Sequence, residues 1–180
     1  GHKGHQEVIG TTGQADMYIY DDREDNTIPD YDSDEELVVL SQTTLSVEDT
    51  NKVANQIKNQ YKNAIIRNDI CYAVSNRQNA VKELAELVDL IIVIGSVNSS
   101  NCVRLKEVAE SYGTKALLAN SPDEIEEDNF YGLLNIGITS GASTPEILVD
   151  NFINFLKPSK INIIGTDERD INFTLPVELQ

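Results

Sequence analysis

Leu90-Ile-Ile-Val-Ile-Gly-Ser-Val-Asn-Ser-Ser-Asn101 decides the fold. Its five consecutive apolar residues, four of them β-branched, predict a strand buried on both faces, as in a parallel sheet covered by helices. Gly95 ends the run, and a loop of hydroxyl and amide side chains leads into a helical stretch that reaches about Tyr112. The same order of apolar run, hydroxyl-rich loop and helix occurs twice more. Leu37 to Leu40 leads into Ser41-Gln-Thr-Thr-Leu-Ser46 and a helix from about Val47 to Tyr61. Leu133 to Ile138 leads into Thr139-Ser-Gly-Ala-Ser-Thr144 and a helix from Pro145 to about Leu156. Short apolar runs alternating with helices specify an α/β fold. Further strands are expected at Met17 to Tyr20 and Lys115 to Ala119, and a further helix from Asn76 to Val88. The chain divides into two similar small domains, 1–67 and 68–158, each with a parallel sheet flanked by helices. A C-terminal tail, 159–180, follows, in which Asn172-Phe-Thr-Leu175 alternates like a strand.

Two helix starts carry capping signals. Ser143-Thr-Pro-Glu146 has the spacing of a capping box with a proline near the first helical position, and Ser46 with Asp49 has a similar spacing. In folds of this kind ligands sit beyond the C-terminal ends of the strands. Each of the three loops feeds a helix N-terminus, where unpaired N–H groups and the helix dipole favour an anion. Thr43, Ser99, Ser100, Asn101 and Ser143 therefore become candidates for holding a phosphate-like group. In any single loop, helix capping explains a hydroxyl equally well; three such loops at parallel strand ends favour the phosphate.

Composition narrows the function classes. Hydrophobic residues make up 40% and charged residues 24%, the balance of a globular protein. The net charge of −16 argues against a nucleic-acid surface, which would be repelled by every phosphate it met. Much of that charge lies in Asp21 to Glu36 and Asp123 to Asp128, read as solvated surface. No apolar run approaches the roughly 20 residues that cross a bilayer, and the polar, Gly-rich start is not a signal peptide, so a cytoplasmic protein with no membrane partner is expected. Cys71 and Cys102 do not make a disulfide framework and are read as free thiols or ligands.

Gly1-His-Lys-Gly-His-Gln-Glu7 gathers two histidines and a carboxylate. Spacing alone leaves open a zinc half-site, a surface turn, and a substrate-facing histidine with a glutamate as proton donor. Cys71, just ahead of a predicted helix, is a candidate ligand, although a lone cysteine is more often inert. Cys102, inside a first helical turn, reads as inert.

The stretch Gly1-His-Lys-Gly-His-Gln-Glu-Val-Ile-Gly-Thr-Thr-Gly-Gln14 resembles a segment of the LytB family, the 4-hydroxy-3-methylbut-2-enyl diphosphate reductases. Five more segments resemble it in the same order: Gln42-Thr-Thr-Leu-Ser46, Asp69-Ile-Cys-Tyr-Ala73 with Asn76-Arg-Gln78, Gly95 to Asn101, Gly141-Ala-Ser-Thr-Pro145, and Leu175-Pro-Val-Glu-Leu179. None is diagnostic alone, but together they cover almost the whole chain.

The resemblance implies a three-domain fold whose domains each give one cysteine to a central [4Fe-4S] cluster. It implies reductive removal of the hydroxyl from a small allylic diphosphate, with a ferredoxin or flavodoxin as electron donor. Matched position by position, Cys71 is the cluster ligand and Glu7 the proton source, with Thr43 close to the reacting hydroxyl. His5, Ser99, Ser100, Asn101 and Ser143 are the diphosphate ligands, which replaces the zinc reading of the first segment. The family's first domain and its two other ligand cysteines lie upstream of Gly1, and the only methionine is Met17, so the chain reads as a truncated piece, without its cluster and inactive alone. Val74 stands where the family often has threonine. The alternative outside enzymes is a phosphate-binding module without redox chemistry, or a domain whose hydroxyls only cap helices.

Overall fold

A computed structural model of the chain describes residues 1–24, 27–31 and 36–165. The strand expected at Asn172 to Leu175 and the matching segment Leu175 to Leu179 lie outside these residues. The elements run α1 (Gln6–Thr12), β1 (Val38–Leu40), α2 (Val47–Gln60), β2 (Ile65–Arg67), α3 (Tyr72–Ala85), β3 (Leu90–Ile94), α4 (Ser100–Ser111), β4 (Lys115–Ala119), β5 (Ile136–Ser140) and α5 (Glu146–Leu156). Two short 3-10 turns, Pro122–Glu124 and Glu127–Phe130, join β4 to β5.

Both sheets are parallel. β1 pairs with β2, Val38 opposite Ile65 and Leu40 opposite Arg67. The second sheet has the order β4-β3-β5, with Ile92 opposite Leu117 on one side and Ile138 on the other. Every residue of β3 is buried, as its unbroken apolar run demands. Because successive side chains point to opposite faces, the odd and even residues of β3 enter two different cores. Ile91 and Val93 pack with Val81 and Ala85 of α3 and with Cys102, Leu105 and Ala109 of α4. Leu90, Ile92 and Ile94 pack with Phe152 of α5 and with Ile125. A central strand clad on both faces fixes where its C-terminal end emerges, and that end carries the loop of Gly95 to Ser99.

Three expectations from sequence change. Met17 to Tyr20 has no regular secondary structure and pairs in no ladder among the described residues. The helix expected from Asn76 starts four residues earlier and stops at Ala85, because Cys71 is already its N-cap. Ser143 is not part of a capping box: the N-cap of α5 is Pro145, with no side-chain cap bond. The delay has a cause in the preceding turn. The Thr144 hydroxyl donates to the Ile94 carbonyl at 3.1 Å and the Thr144 N–H to the Gly141 carbonyl at 3.0 Å, so the chain turns back onto β3 before it can wind. Ser46, by contrast, caps α2 as its spacing predicts, accepting from the Asp49 N–H at 3.2 Å. Among the described residues no helix is long and apolar enough to cross a membrane.

Among the described residues Phe152 is the largest side chain with no exposure, and it closes the α5 side of the core. Phe152→Ala is expected to cost about 3–5 kcal/mol, read as a lower urea midpoint at unchanged slope. A shift below 1 kcal/mol, on the scale of a surface substitution, would mean that α5 does not pack as described.

Candidate functional site

The site is built where the loop after β1 meets the N-terminus of α4. Glu7 stands in the first turn of α1, and both its carboxylate oxygens face Thr43. The Thr43 N–H donates to them at 3.0 and 3.2 Å, and the Thr43 hydroxyl donates to Oε2 at 3.0 Å. These residues lie 36 apart in sequence, so the contact holds the opening segment onto the β1–α2 loop.

His5 is the N-cap of α1, with Nδ1 accepting from the Glu7 N–H at 3.3 Å. An Nδ1 that accepts leaves the ring proton on Nε2. Nε2 lies 3.2 Å from the Ser100 hydroxyl, which it can therefore serve as donor. The Ser100 oxygen is also 2.8 Å from the Thr44 hydroxyl. Ser100 thus receives side chains from two other segments at the first residue of α4, beside N–H groups that have no partner inside the helix. Ser99 is the N-cap, its oxygen accepting from the Cys102 N–H at 3.4 Å, and its own O–H remains free to donate.

Asn101 is buried, and its Oδ1 has no hydrogen-bond partner among the described residues. A buried amide oxygen without a partner is costly, and turning the amide over would present its N–H donors to the same space. The floor beneath it is made of two glycines. A methyl group at Gly95 or Gly141 would run into the Cys102 sulfur and press on the Thr144 hydroxyl, and Gly95 has φ of +151°, which side chains rarely adopt. Cys102 is therefore a packing residue under the loops, as its position in the helix suggested. Ser143 lies on the loop after β5 and is exposed.

Cys71 is exposed at the N-cap of α3, with no cap bond from its side chain. Its N–H donates to the Thr43 carbonyl at 3.0 Å, so the thiol belongs to the same neighbourhood as the Glu7–Thr43 contact. The structure therefore brings together Glu7, Thr43, His5, Ser100 and the backbone of Cys71. Thr44, which carries no spacing signal of its own, joins them through Ser100.

The zinc arrangement of His2, His5 and Glu7 does not form. His2 lies instead with Asp21 and Asp22, its Nε2 3.2 Å from Asp22 Oδ1. Asp21 is already engaged: Arg23 forks onto it at 2.9 and 2.6 Å, and the Lys3 N–H donates to it at 2.7 Å. Those bonds pin the turn that delivers His5 to α1. Chiefly through the Arg23 side-chain hydrogen bonds, the Asp21 carboxyl is held far below the usual carboxylate range. Burial lowers the pKa of His2, and Arg23 adds to the effect.

A family model described as LytB protein matches residues 1–157. The chain belongs to the LytB family. Among curated members, the 4-hydroxy-3-methylbut-2-enyl diphosphate reductase of Glaesserella parasuis is 42% identical over 190 residues, covering 100% of this chain and 60% of that protein. The enzyme of the same name from Streptomyces avermitilis is 44% identical, covering 100% of this chain and 56% of that one. Among solved structures, the E-1-hydroxy-2-methyl-but-2-enyl-4-diphosphate reductase from Plasmodium falciparum superposes with a TM-score of 0.89 at 30% identity, over 98% of this chain and 58% of that chain. This chain thus spans about 60% of the length of the LytB relatives it matches.

Two outcomes follow. Ser100→Ala removes the hydroxyl shared by His5 and Thr44 and is expected to weaken inorganic diphosphate binding about tenfold by calorimetry; an unchanged affinity would place the anion elsewhere. Asp21 has a lowered pKa when folded, so its stabilisation is complete above the unfolded value and is lost as pH falls below it. Urea midpoints measured between about pH 6 and about pH 3 should decline less steeply in Asp21→Asn than in the parent; parallel declines would mean that Asp21 is not the linked group.

Proposed function

We propose that this chain carries the proton-delivering and diphosphate-binding part of a 4-hydroxy-3-methylbut-2-enyl diphosphate reductase, which makes isopentenyl and dimethylallyl diphosphate in the non-mevalonate route. The observation that carries this reading is the Glu7–Thr43 contact set beside the α4 N-terminus. A carboxyl group, a hydroxyl and a helix N-terminus lie side by side there, which supports reading them as an acid, a relay and an anion site. In this reading residues 1–67 and 68–158 act as two units, with 159–180 as a tail.

The substrate's diphosphate has three kinds of donor to meet: the free N–H groups at the start of α4, the hydroxyls of Ser99, Ser100 and Ser143, and the amide of Asn101. His5 adds the Nε2 proton. The set includes no lysine or arginine, which suits a chain of net charge −16 because helix-terminal N–H groups bind anions without a dedicated cation. With the diphosphate anchored there, the hydroxyl end of the substrate is directed to Thr43 and Glu7. Replacing C–OH by C–H consumes two electrons and two protons and releases water. The Thr43 hydroxyl donates to Glu7, so proton delivery takes the protonated acid. The bond then reverses: Glu7 donates to Thr43 Oγ1, and the Thr43 hydroxyl turns to the substrate and passes its own proton on as it receives the one from Glu7.

An iron–sulfur cluster of the [4Fe-4S] type would supply the electrons and polarise the departing oxygen. The exposed, uncapped thiol of Cys71 fits the role of one ligand, and buried Cys102 does not. Clusters take several thiolates, so the others come from the part of the relatives that lies beyond this chain. The family resemblance supports a ferredoxin or flavodoxin as donor and the cytoplasm as compartment.

The test is substrate-dependent oxidation of reduced viologen by the full-length protein, reconstituted anaerobically with iron and sulfide. Turnover that is abolished in Cys71→Ser and cut about 100-fold or more in Glu7→Gln supports the assignment. A full-length protein that holds its cluster yet leaves the viologen reduced would favour a diphosphate-binding module without redox chemistry.

A further inference from the structure

We propose that Gln78 is a positioning residue for this reaction: from the middle of α3 it grips the main chain of the loop that carries Thr43 and so sets Thr43 against Glu7. The inference rests on the reductase reading above and adds to it a residue that touches neither substrate nor cluster.

Gln78 is 1% exposed, and both ends of its amide are used. Its Oε1 accepts from the Val47 N–H at 3.1 Å, and its Nε2 donates to the Leu45 carbonyl at 2.9 Å. These are the carbonyl and the N–H that flank Ser46, the pair that a neighbouring β-strand would engage. The side chain thus does for one residue what a strand partner would do, and Ser46 stays extended at φ −64° and ψ 130°, the geometry an N-cap needs. Val47 is the first residue of α2, so its N–H has no partner inside the helix. A buried apolar side chain at position 78 would leave both main-chain groups unsatisfied.

The grip has two points. Cys71, the N-cap of α3, donates its N–H to the Thr43 carbonyl, and Gln78 holds Leu45 and Val47. Seven residues of helix separate the two contacts, about 10 Å of rigid rod. One turn further along, Lys82 pairs with Glu48 at 2.5 Å and lies over the Tyr112 ring, 5.8 Å from its centre. Thr43 therefore stands between a carboxylate it must serve and a helix that fixes its main chain. Releasing the second grip point lets Thr43 move relative to Glu7, and a misplacement of about 1 Å can cost up to about 100-fold in rate.

Two variants of the full-length protein separate positioning from general damage. Gln78→Leu removes both bonds at every pH. Gln78→Glu keeps them only while the carboxyl is protonated, since the acid can donate to the Leu45 carbonyl and its ionised form cannot. The charged side chains around this face are all paired: Glu48 of α2 with Lys82 of α3, Asp49 with Lys52 and more distantly Arg104 of α4, and Arg104 with Glu107. At the alkaline end both variants are expected to lower kcat by roughly 10- to 100-fold with little change in KM. As pH falls, Gln78→Glu should recover toward the parent while Gln78→Leu stays low, with iron content and melting temperature recorded for each. Parental kcat in both variants, or the same pH profile in both, overturns the proposal. If the parent itself does not turn over, the reductase reading has failed, and the grip is judged by hydrogen exchange at the Val47 amide. Faster exchange in Gln78→Leu than in the parent upholds the grip, and equal exchange rejects it.

Discussion

A carboxylate held between two segments needs donors from the far side, and Glu7 meets two, the N–H and the hydroxyl of Thr43, in three contacts. Everything else about the site depends on that meeting. Glu7 comes from a short helix ahead of the first sheet, and Thr43 from the loop that leaves β1. Neither would stay in place by itself. α1 is only seven residues long and is fixed by its cap His5 and by the bond from the Lys3 N–H, just ahead of it, to Asp21. The Thr43 loop is fixed by α3, which belongs to the core of the second sheet. The contact between acid and hydroxyl is therefore a readout of how the two sheets are assembled.

The second sheet supplies rigidity for a simple reason. Its central strand is apolar on both faces, so it can sit only between helices, and α3, α4 and α5 cover it. This fixes the start of α4, where Ser100 meets His5 and Thr44. The glycine floor lets the loops after β3 and β5 come down onto Cys102, beside the α4 N-terminus. The same constraint delays α5, because Thr144 bonds back to Ile94 before the helix can begin.

Much of this was legible in the sequence. The run at Leu90 to Ile94, the strand at Lys115 to Ala119 and the cap at Ser46 all announce themselves through apolar continuity or hydroxyl spacing, which are local properties. The early start of α3 was not legible, since Cys71 caps it without the usual side-chain bond. Nor was the true start of α5, where a tertiary bond from Thr144 overrides a good local capping pattern. Met17 to Tyr20 has a strand composition but finds no ladder partner among the described residues, and composition carries no information about partners. Gln78 is the clearest case. It was visible as part of a matching segment, yet its importance lies in bonds to Leu45 and Val47, more than thirty residues away. Long-range bonds of a buried amide leave no periodic trace.

The most direct test is a crystal structure of the protein with inorganic diphosphate. The account predicts an anion bound at the start of α4, within hydrogen-bond reach of Ser100 and Asn101, with His5 Nε2 facing it and the Glu7–Thr43 contact intact beside it. Diphosphate ordered at any other place, with the start of α4 left to water, would contradict the central claim that these loops form one site.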